Sequence, residues 1–266
     1  MMRQLLSHSI VERTDTPTTD VVFILHGILG SGRNWRTVAR ALTDHQPGWK
    51  IVLVDLRNHG KSQGFSGPHS LANAANDLVN LASQTGEPSI VIGHSFGGKV
   101  ALAYAALKPS GLRAAWVLDS RPGAEPPSAE NEVMAVLDAL ADVPQPLQAR
   151  QDLIPILGQW GFSQGLAQWL TTNLARSEDG FRWVFPLPAI REMISDYWTR
   201  DYWPLLATPP CPIHIVRAGR SDRWPPEVIR RFETEASEQC SLHVLEDAGH
   251  WLHVDDPEGL IRILTS

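Results

Sequence analysis

Pro88–Leu107, PSIVIGHSFGGKVALAYAAL, contains a change of rhythm that decides the fold. Ile90–Ile92 (IVI) is a short β-branched run of the kind buried on both faces of a sheet. From Gly98 to Leu107 the apolar residues recur at helical spacing. Between the two lies Gly93-His94-Ser95-Phe96-Gly97. A serine between two glycines, at a turn from strand into helix, is the context of a nucleophile elbow. A turn this tight forces its central residue into an unusual backbone conformation, and a side chain at either glycine would collide with the neighbouring element. The turn lifts the Ser95 hydroxyl out at the C-terminal edge of the sheet. The N–H groups opening the following helix point at the same place, where they favour a developing anion.

Further strand-length runs flank this one: Val21–Leu25, Ile51–Val54, Ala115–Leu118, Ile213–Val216 and Ser241–Leu245. Helical patterns over Asn34–Leu42, Leu71–Ser83 and Lys99–Leu107 separate the earlier runs. Strand alternating with helix predicts a mostly parallel α/β sheet. The rhythm breaks between Arg121 and Thr208. The segment opens on the turn-prone RPGAEPP, holds no strand-like run, and reads as helices over Ala129–Ala141, Leu147–Leu157, Ser163–Asn173 and Ala189–Tyr197. An unstructured loop of that length inside a domain is improbable. Residues 121–208 are therefore expected to form a helical cap on a core made of residues 1–120 and 209–266. Five of the ten tryptophans fall in it (Trp160, Trp169, Trp183, Trp198 and Trp203), and several are expected to roof the pocket over Ser95.

Two more motifs complete a chemistry. His26-Gly27-Ile28-Leu29-Gly30-Ser31-Gly32 follows the first strong strand. A glycine-rich loop there brings backbone to the nucleophile, so the N–H groups of Ile28 and Phe96 are the candidate oxyanion hole. Asp247-Ala248-Gly249-His250-Trp251-Leu252-His253 follows the last strand, which makes His250 the candidate base, preferred over His253. His8, His45, His59, His69, His214 and His243 read as surface or packing residues. Two carboxylates fit the acid that orients the imidazole: Asp222, in the loop after Ile213–Val216, and Asp119, at the end of Ala115–Leu118. The reading prefers Asp222 by a small margin. His26, Gly27, Leu29, His94, Trp160 and Trp251 are the candidate pocket residues. Asp55-Leu56-Arg57-Asn58-His59-Gly60-Lys61-Ser62 reads as a hydrogen-bonded turn walling the site, with Arg57 structural rather than catalytic.

Composition bounds the partners. The chain has 266 residues, 43% hydrophobic and 20% charged, with a net charge of −6. It is long enough for one large core, and mild acidity gives no reason to expect nucleic acid. No apolar run approaches the roughly 20 residues a membrane span requires. Arg3, Ser7, His8 and Ser9 interrupt the N-terminus, so no signal peptide is expected. Cys211 and Cys240 are the two cysteines, read as reduced core thiols of a cytoplasmic protein. With no H-x-H, H-E-x-x-H or paired-cysteine spacing, neither metal nor cofactor is expected.

HGILGS, DLRNHGKS, GHSFGGK and AGHWLH, in this order and over nearly the whole chain, resemble the α/β-hydrolase superfamily. The nearest resemblance is to small carboxylesterases of the YbfF/ABHD11-like branch. The resemblance implies an eight-stranded, mostly parallel sheet with a helical cap after strand six, and ester hydrolysis without a cofactor. It puts the nucleophile on Ser95, the base on His250 and the oxyanion donors on Ile28 and Phe96. It leaves both Asp222 and Asp119 open as the acid, and Ser221, beside Asp222, also recurs among such relatives. The expected activity is hydrolysis of a small-molecule ester with an apolar portion through an acyl-enzyme. The alternatives are thioester or carbon–carbon bond hydrolysis on the same triad, or a non-catalytic ligand-binding protein of this fold.

Overall fold

The computed structural model describes residues 4–125 and 132–266. In chain order β1 (His8–Val11), β2 (Asp20–Leu25), α1 (Arg36–His45), β3 (Trp49–Val54), α2 (Leu71–Thr85), β4 (Ile90–His94), α3 (Phe96–Ala106) and β5 (Ala114–Leu118) come first. An excursion from the sheet follows, with α4 (Glu132–Asp142), α5 (Leu153–Gln159), α6 (Gln164–Leu170), β6 (Leu174–Ser177), β7 (Gly180–Trp183), α7 (Leu187–Thr199) and α8 (Trp203–Ala207). The chain then returns through β8 (Ile213–Ala218), α9 (Pro226–Glu235), β9 (Cys240–Leu245), α10 (Leu252–Asp255) and α11 (Pro257–Leu264).

The central sheet runs β1-β3-β2-β4-β5-β8-β9, and every pairing is parallel except that of β1 with β3. Among the described residues the sheet has seven strands, not the expected eight, and the excursion leaves after its fifth strand rather than a sixth. The reason is local: a single strand, β1, precedes β2 and pairs antiparallel at the β3 edge. Alternate residues of a strand face opposite sides. Val22 and Ile24 of β2 thus enter one core with Trp35, Val38 and Leu260, while Phe23 and Leu25 enter the other with Val100 and Leu78. Burial on both faces explains why the sequence shows these strands as continuous apolar runs.

Register sets the site. Leu25 pairs with Gly93, Gly93 with Val117, and His94 with Leu118. The strand ends are therefore level, and Ser95 and Asp119 emerge side by side.

The excursion is helical as expected, with two differences. Residues 129–131 of the expected first helix lie outside the described residues, and the helix is described from Glu132. A hairpin of β6 and β7, joined through Glu178-Asp179, stands where no strand was expected. Its four-residue strands are too short to display an alternating period. Leu147 and Phe181 exchange backbone hydrogen bonds of 3.0 and 2.8 Å and tie the hairpin to the rest of the excursion.

Lys99 fastens the excursion to the sheet. Its fully buried ammonium donates to the carbonyls of Gly123 (2.7 Å), Tyr197 (2.8 Å) and Arg200 (3.2 Å), and lies over the Tyr197 ring. Three acceptors match the three N–H bonds of the charged form. Burial pulls its pKa down to about 8, against the opposing charge of Glu125.

The DLRNHGKS turn is held as expected. Asp55 accepts from the backbone N–H of Gly32 (2.8 Å) and Lys61 (2.9 Å), and Arg57 pairs with buried Asp77 at 2.6 Å. Burial raises the Asp77 carboxyl, and Arg57 opposes that shift. Arg57→Ala would leave this carboxylate buried and alone, so a loss of about 3–5 kcal/mol in urea unfolding is expected at pH 7. The deficit should shrink on acidification, as Asp77 takes up a proton.

Candidate active site

Ser95 has φ 51° and ψ −117°, a conformation that costs about 1–3 kcal/mol and persists because its surroundings impose it. A β-carbon at Gly93 would overlap the Gly97 carbonyl, and one at Gly97 would lie 2.6 Å from the carbonyl oxygens of Leu25 and His26. The Ser95 N–H donates to the Leu118 carbonyl at 2.9 Å, which ties the turn to β5. Phe96 opens α3, where the first N–H groups lack intrahelical acceptors. The His26–Gly30 loop packs against this turn, and a β-carbon on Gly27 would sit 3.4 Å from the Ser95 β-carbon. His26 sets the shape of the loop. Its Nε2 accepts from the Leu56 N–H (3.0 Å), so its Nδ1–H donates to the Gly27 carbonyl (2.7 Å). Burial holds this imidazole neutral, with a pKa of about 4.

The His250 Nδ1 lies 2.8 Å from Asp119 Oδ2. Asp119 is fully buried, and its other carboxylate oxygen accepts from the Ala218 N–H at 3.1 Å. A carboxylate so placed takes the Nδ1–H and leaves Nε2 of His250 as a proton acceptor. The structure brings Asp119, not the preferred Asp222, to His250. Asp222 is exposed on the loop after β8, four residues beyond the strand end, whereas Asp119 directly follows β5 at the level of Ser95. Asp119 adopts φ 43°, a region that aspartate tolerates better than most residues.

His94 holds the His250 backbone. Its Nε2–H donates to the His250 carbonyl at 2.7 Å, and the rings are 4.8 Å apart. Burial first, then the neighbouring His250 and His253, push its pKa well below the ordinary value. His253 turns away and stacks on Trp35 at 4.3 Å.

These groups open onto a cavity of about 770 Å³. Gly27, Ile28, Leu29, His94, Ser95, His250 and Trp251 form its floor and one wall, and His26 lines only a small crevice beside it. The excursion contributes Val133, Val136, Leu166 and Trp169. The expectation for the tryptophans is largely corrected, since of the five only Trp169 lines the cavity. Trp160 is 43% exposed and off the wall. Trp198 and Trp203 are buried in the core, and Trp183 donates to the Leu140 carbonyl (3.2 Å) while stacking on Phe185. Helical spacing shows which residues share a face, not what that face meets. The sequence reading did not single out Val133, Val136, Leu166 or Arg223, because their place on the wall depends on how the excursion and the β8–α9 loop fold back. Among the described residues no three His, Cys, Asp or Glu side chains gather to hold a metal ion.

Burial lowers the pKa of His253 to about 4, and its buried Nδ1 has no partner among the described residues. Such a group resists protonation when folded but not when unfolded, so its contribution to stability falls as pH drops from about 6.5 toward 4. His253→Phe keeps a ring for Trp35 and removes the titration. Urea midpoints are expected to stay within about 1 kcal/mol of the parent at pH 7 and to fall less steeply toward pH 4.

Comparison with known proteins shows the family. Residues 21–263 match the model of the Alpha/beta hydrolase family. The mouse sn-1-specific diacylglycerol lipase ABHD11 is 29% identical over 94% of this chain and 81% of its own length. Esterase YbfF of Escherichia coli is 26% identical over 91% of both chains. The solved structure of a marine microorganism esterase superposes with a TM-score of 0.85 at 26% identity, covering 98% of each chain. With its strained strand-to-helix turn and level strand ends, the chain belongs to the Alpha/beta hydrolase family, as a carboxylesterase-like hydrolase.

Proposed function

We propose that this chain hydrolyses carboxylic esters through a Ser95–His250–Asp119 triad and an acyl-enzyme intermediate. The observation that carries the reading is the 2.8 Å contact of His250 Nδ1 with buried Asp119, on the same cavity wall as the strained Ser95. His250 Nε2 takes the proton as Ser95 Oγ attacks the ester carbonyl. The carbonyl oxygen becomes an oxyanion held by the N–H groups of Ile28 and Phe96. When the tetrahedral species collapses, the alcohol leaves with the proton from His250. Water then repeats the sequence against the acyl-serine, releasing the acid and restoring Ser95.

Residues 121–208 serve in this reading as a cap on a core of residues 1–120 and 209–266. Val133, Val136, Leu166 and Trp169 supply apolar surface for the acyl or alcohol portion. Two free cysteines fit a reducing compartment such as the cytoplasm. No described helix is long and apolar enough to cross a membrane.

Ser95→Ala should abolish hydrolysis of short p-nitrophenyl esters in a folded protein, and a fluorophosphonate should label Ser95 alone. Asp119→Asn should lower kcat by about 10³–10⁴, as expected when a base loses the carboxylate that sets its tautomer. Asp222→Asn should stay within a few-fold of the parent. Comparable losses in the two aspartate variants would sink the assignment of the acid. Trp169→Ala should shift the preference between short and long acyl chains, by about 10-fold in the ratio of kcat/KM. Trp160→Ala should leave that ratio unchanged.

A further inference from the structure

Among the described residues four charged side chains line the cavity, and three are accounted for. Arg220 pairs with Asp247 at 2.9 Å. Asp255 accepts from the Gly249 N–H at 2.9 Å and braces the His250 loop. Asp222 is exposed to solvent. The fourth is Arg223, which is half-buried. Its backbone N–H donates to Ser221 Oγ at 3.3 Å. Among the described residues, no carboxylate, carbonyl or aromatic ring engages its guanidinium. Burial pushes the pKa of His94 down and that of the Tyr197 hydroxyl up to about 12, and the Arg223 charge lies close enough to act on both as a smaller cause.

A partly desolvated guanidinium without a counter-ion is unfavourable unless a ligand supplies one. Its planar fork matches a carboxylate, which accepts two parallel N–H bonds. The apolar wall of Val133, Val136, Leu166 and Trp169 calls for a hydrocarbon stretch between that carboxylate and the reacting ester. Two arginines and two aspartates line the described wall, so it carries no net charge with Arg223 counted, and Arg223 is the arginine whose guanidinium has no partner among them. One spare guanidinium therefore suits a monoanion better than a doubly charged phosphate. We propose that Arg223 is an anion-binding subsite of this cavity, and that the substrate is an ester bearing a terminal carboxylate beyond an apolar spacer. This rests on the esterase reading above and narrows its substrate class.

Matched pairs of esters test it. Monoethyl adipate carries the carboxylate on the acyl side, and ethyl hexanoate is its neutral counterpart. For the alcohol side, 6-acetoxyhexanoate is compared with hexyl acetate. In at least one pair the parent enzyme should favour the acid, and Arg223→Gln should lower kcat/KM for that acid by about 10–100-fold, the range of a charge-assisted pair. The neutral partner should stay within about twofold, which also reports an intact fold and triad. Asp222→Asn should raise kcat/KM for the acid, because it removes a like charge from the same wall. Equal losses on acid and neutral ester in Arg223→Gln, or a parent that prefers the neutral ester in both pairs, would overturn the proposal. Calorimetry on Ser95→Ala separates this outcome from failure of the esterase reading. Either monoanion should bind there and lose its affinity in the Ser95→Ala, Arg223→Gln double variant, whether or not the parent turns it over. Equal affinity in the two proteins would again refute the subsite.

Discussion

There is no room for a side chain at Gly93 or Gly97. The first faces the Gly97 carbonyl and the second the carbonyls ending β2. The close approach of α3 to the sheet follows from those two absences. Gly98 continues it, since a β-carbon there would meet that of Ser120 at 2.7 Å. The start of one helix is thus pressed against the ends of three strands. The hydroxyl of Ser95, the loop after β2 and the carboxylate after β5 all meet in that corner. Lys99, next along the same helix, is carried inward to reach carbonyls at both necks of the excursion. One tight turn therefore organises the floor of the cavity and anchors the segment above it.

Four buried imidazoles sit around this corner: His26, His59, His94 and His253. Burial depresses all four, His26 and His253 to about 4 and His59 to about 3. They remain neutral across the physiological range. His26 and His94 act as rigid hydrogen-bonding struts, each fixing a loop through a backbone carbonyl. Neutral struts suit this place, because a permanent charge beneath Ser95 would bias any charge developing above it.

How legible each part was depends on the distance over which its cause acts. The strand, turn and helix around Ser95 are set within some twenty consecutive residues, and all of that is visible in composition and spacing. The six apolar runs read as strands are all strands, extended by one or two residues. The choice between Asp119 and Asp222 depended on register: which strand end lies level with Ser95 is decided by pairing across β4 and β5, and no local pattern carries it. The same holds for the tryptophans. Trp160 falls between two helical patterns and Trp169 within the second, yet nothing in either pattern shows that one is exposed and the other meets Trp251 edge-on. The hairpin of β6 and β7 escaped notice because four residues are too few for a period.

A carboxylate at the end of β5 has a consequence for the loop that follows β8. Among the described residues that carboxylate accepts one hydrogen bond from the β8 segment, from the N–H of Ala218, the last residue of the strand. Gly219 and Arg220 still brace the segment leading to His250, through the carbonyls of Leu245 and Ala248, while Ser221, Asp222 and Arg223 line the cavity. The side chains of those three can therefore change while the carboxylate that meets the imidazole stays in place. The molecule divides its labour between an inner frame that conserves a reaction and an outer loop on which selection for new substrates can act at little catalytic risk.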